Sequence, residues 1–162
     1  MPRFHVRLAD DGLVFSAAHF ITTAEDACER LHGHDYRVKA EVYGPLDGNH
    51  CVVDFIALRV ALREILNELD HRVLLPGEHP QIRVTSAEHQ IEAVFQQRRW
   101  VFPEGDCRVL PMANTTAELL AQHLAERLRH VLISRFRMRP PGVRIELEET
   151  PGLSAVCELG AE

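Results

Sequence analysis

The segment Cys28–His34 (CERLHGH) sets two histidines two residues apart, with a cysteine just upstream. The residues that follow, 35–43, alternate polar and apolar side chains, a pattern typical of a half-buried β-strand. Residues i and i+2 of a strand point to the same side, so His32 and His34 are predicted to lie side by side. Gly33 between them adds no side chain on the other face. The segment therefore defines a central strand and a candidate site at its start.

Strand parity assigns both histidines to the core face of the sheet. That face continues through Tyr36, Val38, Ala40 and Val42, while the opposite face carries Asp35, Arg37, Lys39 and Glu41. An unpaired imidazole is costly to bury, and a metal ion is a good partner for two adjacent ones. The alternative is a pair of core histidines satisfied by backbone carbonyls. The nearby thiol of Cys28 favours the metal and the outline of an active site.

Composition limits the class of protein. With 162 residues, 46% of them hydrophobic, the chain is long enough for one domain over residues 1–162 with a real core. A net charge of −6 argues against a nucleic-acid partner. No apolar run is long enough to span a membrane, and the N-terminal residues lack the apolar core of a signal peptide. The four cysteines form no C-x-x-C pair and are predicted to be reduced, so we expect a cytoplasmic enzyme.

Besides the central strand, the first half of the chain is predicted to supply three strands and a helix. Strands over residues 4–9 and 13–20 flank a turn or bulge at 10–12, and a short strand over 51–53 leads to Asp54, a good N-cap. Residues 55–69 carry a helical stripe of apolar side chains. The stripe predicts that one side of this helix packs on the sheet.

The second half adds another helix and two strands. Thr115 and Glu118 have capping-box spacing, which predicts a helix from residue 115 to about 135. Strands are predicted over 143–149 and 153–159. Glu149 falls on the core face of the first of these strands, where a carboxylate usually has a role or a partner, unless the strand has already ended. Short apolar runs between residues 76 and 112 predict a small β insertion between the helices.

Six short motifs, in this order along the chain, resemble the 6-pyruvoyltetrahydropterin synthase / 6-carboxytetrahydropterin synthase family of pterin enzymes. They are Phe15–His19, Cys28–Tyr36, Val53–Phe55, Leu69–His71, Thr116–Glu118 and Glu149–Thr150. Each is weak alone, but six in order around H-G-H form a specific signal. Only the insertion, about 76–112, lies outside the resemblance.

The resemblance implies the tunnelling fold. This is an α+β fold with an antiparallel four-stranded sheet and two helices on one face, in the order ββααββ. It also implies a homohexamer, a dimer of trimers, whose active sites lie between subunits. Closing three sheets into a barrel would hide the sheet edges that a lone protomer exposes.

The resemblance also implies a Zn²⁺ cofactor. Its ligands would be His19, His32 and His34. Three protein ligands leave one position open, as in catalytic rather than structural zinc sites. The zinc would bind and acidify oxygens of the substrate side chain.

The remaining site residues follow from the same resemblance. Cys28 matches the catalytic thiol, and Asp70 with His71 matches the pair that assists proton transfer. Glu149, with Thr150 after it, matches the carboxylate that binds the N–H edge of the pterin ring. The alternatives are ordinary: Cys28 as a small buried side chain and Asp70 as a residue that ends a helix.

The implied reaction is a zinc-dependent lyase step on 7,8-dihydroneopterin triphosphate. Three residues separate Cys28 from His32, as in bacterial enzymes that form 6-carboxy-5,6,7,8-tetrahydropterin for the queuosine / 7-deazaguanine pathway. The alternatives are a 6-pyruvoyltetrahydropterin synthase or cleavage to 6-hydroxymethyl-dihydropterin for folate. Glu29 resembles a glutamate of members with the last activity, or else it is a solvated loop charge. A non-catalytic zinc or pterin-binding protein is a further hypothesis, against which the intact Cys28, His71 and Glu149 argue.

Overall fold

One long strand organises the sheet in the computed structural model, which describes residues 3–24 and 27–160. This strand, β3 (His32–Gly44), pairs antiparallel along one edge with β1 (Phe4–Leu8) and then with β2 (Val14–His19). Its other edge pairs with β9 (Gly142–Thr150), which pairs in turn with β10 (Leu153–Gly160). The predicted antiparallel four-stranded sheet is confirmed, with β1 and β2 sharing one strand position.

The predicted turn at residues 10–12 separates β1 from β2 within this shared strand position. The Gly12 N–H donates to the Asp10 carboxylate at 2.9 Å, and the Leu13 N–H donates to the Asp10 carbonyl at 3.2 Å. The Leu13 carbonyl still accepts from the Val38 N–H at 2.8 Å, so β3 keeps a partner across the break.

The predicted faces of β3 are confirmed. Its alternate residues from Tyr36 to Val42 are buried, while Asp35 and Arg37 are exposed. Both helices, α1 (Phe55–Asn67) and α2 (Ala117–Ser134), pack on the buried face. The order ββααββ is therefore confirmed. No helix in the described part of the chain is long and apolar enough to cross a bilayer.

A side-chain N-cap sets the start of each helix. Asp54 caps α1 as predicted and accepts the Ala57 N–H at 2.7 Å. The cap predicted for α2 is wrong by one residue, because Thr116 accepts the Leu119 N–H. Thr115 is fully buried instead, and its hydroxyl donates to the Phe20 carbonyl at 3.3 Å.

Two other predicted boundaries are corrected. Residues 51–53 form no strand, since Asp47 closes a turn there: its N–H donates to the Cys51 carbonyl and its carboxylate accepts the Cys51 N–H. Helix α1 ends at Asn67 rather than at residue 69.

The insertion between the helices is built from β-strands, as predicted, but it also extends the main sheet. Strand β4 (Arg72–Pro76), which the sequence pattern did not predict, runs parallel to β2, and β8 (Cys107–Leu110) runs parallel to β4. Strands β5 (Ile82–Ala87), β6 (Gln90–Phe95) and β7 (Arg98–Pro103) form a separate antiparallel sheet. A 3₁₀ turn, Glu104–Asp106, connects β7 to β8.

A second apolar cluster lies under the insertion. Its buried members are Phe20, Leu75, Ile82, Ile91, Ala93 and Phe95. Phe20 directly follows the last residue of β2, and Cys28 packs at the edge of the cluster. The insertion is therefore in contact with the chain segment that connects β2 to β3.

Candidate active site

Strand register brings three histidines together at one end of the sheet. His19, the last residue of β2, pairs with His32, the first residue of β3, and His34 lies two residues further on the same face. The ring centroid of His19 lies 4.8 Å from that of His32 and 5.3 Å from that of His34. One ligand atom from each ring lies within 4.8 Å of the other two. The predicted triad is thus assembled in a geometry that could hold a metal ion.

Backbone carbonyls set the orientation of two of the rings. Nδ1 of His19 lies 2.8 Å from the Thr115 carbonyl, and Nδ1 of His32 lies 2.8 Å from the Arg30 carbonyl. A carbonyl can only accept, so the proton of each neutral ring is on Nδ1 and the Nε2 lone pair is free for a ligand. Hydrogen bonding of the second nitrogen in this way is usual for metal-binding histidines.

The environment of His19 also suits a metal ligand. Its side chain is only 2% exposed, and burial lowers its pKa, so the ring stays neutral. Zinc takes neutral imidazole nitrogens, and three of them leave the fourth position of a tetrahedral site open. The donor set of the described residues therefore fits the predicted zinc ion.

Glu149 lies beside this triad, as its place on the core face of β9 predicted. Its Oε1 is 3.4 Å from Nε2 of His19 and 3.6 Å from Nε2 of His34. The hydroxyl of Tyr36, which is fully buried below the triad, donates to the same oxygen at 3.4 Å. Burial and the charge of Glu149 raise the pKa of Tyr36, which keeps this hydroxyl a donor. Thr150 follows at the end of β9 and pairs with Leu153.

Cys28 and Glu29 come from the segment that joins β2 to β3. An isolated bridge between Thr22 and Cys28 and a hydrogen bond from the Glu29 N–H to the Ile21 carbonyl fix this pair against the end of β2. The carboxylate of Glu29 lies 3.8 Å from Nε2 of His32. The Cys28 thiol is half-buried; burial raises its pKa, and the nearby Arg98 guanidinium lowers it.

Asp70 and His71 form the predicted pair between α1 and β4. Nδ1 of His71 lies 2.9 Å from the Asp70 carboxylate, whose other oxygen accepts the Ser16 N–H at 2.8 Å. That hydrogen bond is the largest single cause that lowers the pKa of Asp70, and the contacts with His71 lower it further. His71 has a positive φ of 55° and donates its own N–H to the Ser16 carbonyl at 2.6 Å. The pair is anchored to β2, and the imidazole is 82% exposed.

The sequence matches the 6-pyruvoyl tetrahydropterin synthase family over residues 12–159. The chain belongs to this family. A protein of Methanocaldococcus jannaschii named as a candidate 6-carboxy-5,6,7,8-tetrahydropterin synthase is 33% identical over 125 residues, which cover 74% of this chain and 76% of that protein. The 6-carboxy-5,6,7,8-tetrahydropterin synthase of Haemophilus influenzae is 27% identical over 121 residues, which cover 72% of this chain and 77% of that protein.

Solved structures show the same fold. The 6-pyruvoyltetrahydropterin synthase of Plasmodium vivax superposes with a TM-score of 0.88 at 21% identity, over 99% of both chains. That of Plasmodium falciparum gives a TM-score of 0.86 at 26% identity, over 98% of both chains. The tunnelling fold is confirmed. The prediction of a lyase similar to the 6-carboxytetrahydropterin synthases is confirmed at the level of the family.

The predicted site residues of this family member form two separate groups. His71 lines an open cleft of about 450 Å³, and of the three histidines of the triad only His34 lines it too. Its other lining residues include outer-face positions of β2 and β3: Ser16, Ala18, Gly33 and Asp35. Among the described residues, no hydrogen bond or ion pair joins Asp70 or His71 to Cys28 or to the triad. The thiol and the proton-transfer pair therefore make no direct contact within one chain.

Three residues of the site were not predicted from the sequence as site residues. Tyr36 was assigned to the core face, and its place two residues beyond His34 was the available signal. Thr115 acts through its carbonyl, for which a side-chain pattern gives no signal. Arg98 reaches Cys28 from the insertion, across about seventy positions of sequence, and only the folded chain shows that contact.

Proposed function

We propose that this protein is a zinc-dependent lyase that converts 7,8-dihydroneopterin triphosphate to 6-carboxy-5,6,7,8-tetrahydropterin, the precursor of queuosine and other 7-deazaguanines. The observation that carries the proposal is the triad of His19, His32 and His34, whose ligand atoms lie within 4.8 Å of one another, beside the Glu149 carboxylate. Relatives named for the 6-carboxy product support this choice of product.

The triad would hold the zinc. When bound there, the ion supplies Lewis acidity toward hydroxyl or carbonyl oxygens of the substrate side chain. Binding requires an unprotonated Nε2, and the Nδ1 hydrogen bonds of His19 and His32 to carbonyls select the neutral tautomer that has one.

Glu149, followed by Thr150, would bind the pterin ring. The Tyr36 hydroxyl donates to Oε1 of Glu149 and holds the carboxylate in place. Oε2 has no hydrogen-bond partner among the described residues, so it is available to the donor edge of a pterin. Charge-assisted hydrogen bonds of this kind are about twice as strong as neutral ones.

Cys28 and the Asp70–His71 pair would move protons at the substrate side chain. Cys28 would act as thiolate, and His71, oriented by Asp70, would act as acid or base from the other side. Because His71 makes no contact with Cys28 within one chain, the proposal places the two groups of one active site on neighbouring subunits.

The sheet edge supports assembly into the homohexamer proposed for the family, a dimer of trimers. In the described residues β10 pairs only with β9, and its outer positions Leu153 and Val156 are 69% and 48% exposed. An apolar, unpaired edge strand favours pairing with another chain. Barrel closure through β10 would cover these side chains and bring the Asp70–His71 pair of one subunit toward a neighbour.

A second candidate function is cleavage of the same substrate to 6-hydroxymethyl-dihydropterin, a folate precursor. It is favoured by one observation: the Glu29 carboxylate lies 3.8 Å from Nε2 of His32, close enough to reach a substrate that binds beside the triad. A 6-pyruvoyltetrahydropterin synthase activity would use the same residues, and only the product separates it from the first proposal.

The experiment that tests the proposal is incubation of zinc-loaded protein with 7,8-dihydroneopterin triphosphate, with products identified by mass. Formation of the 6-carboxy product with acetaldehyde supports it, while a 6-pyruvoyl or 6-hydroxymethyl product selects an alternative. If the substrate binds and stays unchanged over hours, the protein is a non-catalytic binding protein and the proposal is wrong.

Separate replacement of Cys28 and Glu29 assigns the chemistry. Cys28→Ala is expected to abolish the 6-carboxy product, with Cys51→Ala, an exposed cysteine in a turn, as the matched control. Glu29→Gln is expected to leave that product and to remove any 6-hydroxymethyl product. Full activity of Cys28→Ala would overturn the role of the thiol.

A further inference from the structure

Arg98, on strand β7 of the insertion, holds the backbone of the segment that carries Cys28. Its Nη1 donates to the Cys28 carbonyl at 2.5 Å, and its Nη2 donates to the Glu29 carbonyl at 3.0 Å. The planar guanidinium thus bridges two consecutive carbonyls. Hydrogen bonds from a charged donor are short and strong, and the rigid fork fixes direction as well as distance.

The guanidinium is itself held in place by aromatic rings. It lies 4.6 Å above the ring of Trp100, two residues along β7 on the same side. Trp100 in turn stacks on Phe20, with centroids 4.3 Å apart and planes 15° apart. Phe20 is fully buried and directly follows the zinc-ligand candidate His19. A continuous stack therefore connects the end of β2 to the Arg98 fork.

Two further side chains from outside the segment fix its other end. Nε2 of His79 lies 2.8 Å from the Thr22 hydroxyl, and Nδ2 of Asn114 donates to the Thr22 carbonyl at 3.1 Å. Nδ1 of His79 accepts the backbone N–H groups of Gln81 and Ile82, both at 2.9 Å, so its Nε2 carries the proton that goes to Thr22. The insertion therefore contacts the β2–β3 segment at both of its ends.

The charge of Arg98 also acts on the thiol. Burial raises the pKa of Cys28, the Arg98 guanidinium lowers it, and the Glu29 carboxylate raises it. Among the described residues, Arg98 and Glu29 are the charged groups that act on this thiol. A thiol that must become a thiolate benefits from a fixed positive neighbour.

We propose that Arg98 is a positioning residue of this active site, and that the insertion serves to place its guanidinium against the Cys28 and Glu29 carbonyls. The fork fixes where the thiol and the carboxylate point relative to the triad. The expected effect on turnover rests on the proposed function. The expected effect on Cys28 concerns the free protein and can be measured without turnover.

The variants that test it are Arg98→Gln, which removes the charge and the fork, and Arg98→Lys, which keeps the charge and loses the fork. The matched control is Arg99→Gln: Arg99 is the next residue of β7, points to the other side, and pairs with Glu92 at the surface. All four proteins are compared by metal content, melting temperature, kcat and KM.

The first readout is the alkylation of Cys28 by iodoacetamide as a function of pH. Mass spectrometry of the peptide that contains Cys28 measures the extent of alkylation. In Arg98→Gln the midpoint is expected to rise by roughly half a unit or more, since a nearby opposite charge is lost. Arg98→Lys is expected to restore the midpoint, and Arg99→Gln to leave it unchanged. A merely structural role would lower the melting temperature without moving the midpoint.

The second readout is turnover. We expect kcat to fall at least tenfold in Arg98→Gln, with KM and metal content close to those of the parent, and Arg98→Lys to recover only part of it. A wild-type alkylation profile and wild-type kcat in Arg98→Gln would overturn the inference. If the glutamine variant does not fold, Arg98→Lys is used instead, because it keeps the charge and loses the fork, and a wild-type kcat in that variant would overturn the inference. If the parent protein turns nothing over, the proposed function fails while the alkylation profile still tests Arg98.

Discussion

Nδ1 of His19 donates a hydrogen bond to the backbone carbonyl of Thr115 at 2.8 Å. Thr115 directly precedes Thr116, the N-cap of α2, so the start of this helix and the orientation of a zinc-ligand candidate depend on the same few atoms. The helix thereby contributes to the site without placing a side chain in it.

The first prediction concerns that helix start. Thr116→Ala removes the side-chain acceptor for the Leu119 N–H, and loss of a cap costs about 1 kcal/mol. At about 2–4 °C per kcal/mol for a chain of this size, the melting temperature should fall by a few degrees in a thermal melt. Glu118→Ala is the control and should change little. If instead Glu118→Ala is the damaging change, the capping box read from the sequence is the right one.

The second prediction concerns metal removal. Metal at a hundredfold above its Kd adds about 2.7 kcal/mol to stability, which corresponds to about 5–10 °C in melting temperature. Chelation should therefore lower the melting temperature of the wild type by that amount. His32→Ala should abolish both the shift and the bound metal measured by elemental analysis. His130→Ala, at an exposed position of α2, should retain both; an unchanged metal content in His32→Ala would contradict the triad.

The third prediction separates two roles for Glu149. Glu149→Gln keeps the shape and removes the charge, so a pterin anchor loses about 1.5–3 kcal/mol, or roughly 10- to 150-fold in KM. Metal content should stay the same, since Glu149 is not one of the three proposed ligands. Steady-state kinetics and elemental analysis check both parts. Loss of metal without a change in KM would make Glu149 a metal ligand instead.

Much of this site was predictable because its residues repeat with the period of a strand. The H-x-H spacing placed His32 and His34 on the core face, and the parity of β9 singled out Glu149. Both hold in the structure. Alternating patterns of this kind predict the face of a side chain correctly because its direction in a strand is fixed by the backbone.

Other features depended on contacts between distant parts of the chain. Strand β4 pairs with β2 through only two residue pairs, in a stretch whose pattern had no strand signal. The cap of α2 is Thr116, one residue later than predicted, because the Thr115 hydroxyl is buried and donates to the Phe20 carbonyl. Arg98 lies in the predicted insertion, and no sequence pattern marked it as a site residue. Its role exists only because the insertion packs on the segment that carries Cys28.

The fourth prediction follows from the separation of Cys28 and His71 within one chain. Cys28→Ala and His71→Ala should each be inactive alone. Mixed oligomers, made by refolding or coexpressing the two variants, should regain roughly a quarter of the wild-type activity, because a site with both intact groups forms where the right subunits meet. The assay is specific activity against mixing ratio. If mixing restores nothing while mixed oligomers form, both groups act within one chain.

The fifth prediction concerns the contact of His79 with Thr22. Burial lowers the pKa of His79 below its usual 6.5, so below that pH the unfolded chain binds more protons than the folded one. The neutral ring therefore contributes stability that is present above pH 6.5 and is lost as the pH falls through the lower folded pKa.

His79→Asn tests this dependence, because the Asn side-chain oxygen can replace Nδ1 as acceptor for the Gln81 and Ile82 N–H groups and does not titrate. The difference in unfolding free energy between wild type and variant, from urea melts at several pH values, should be largest near pH 8 and shrink toward pH 5. His130→Asn, the same substitution at an exposed position of α2, is the matched control. A wild-type-to-variant difference that grows on acidification would mean that the protonated ring, rather than the neutral one, is the form that holds Thr22 and the segment leading to Cys28.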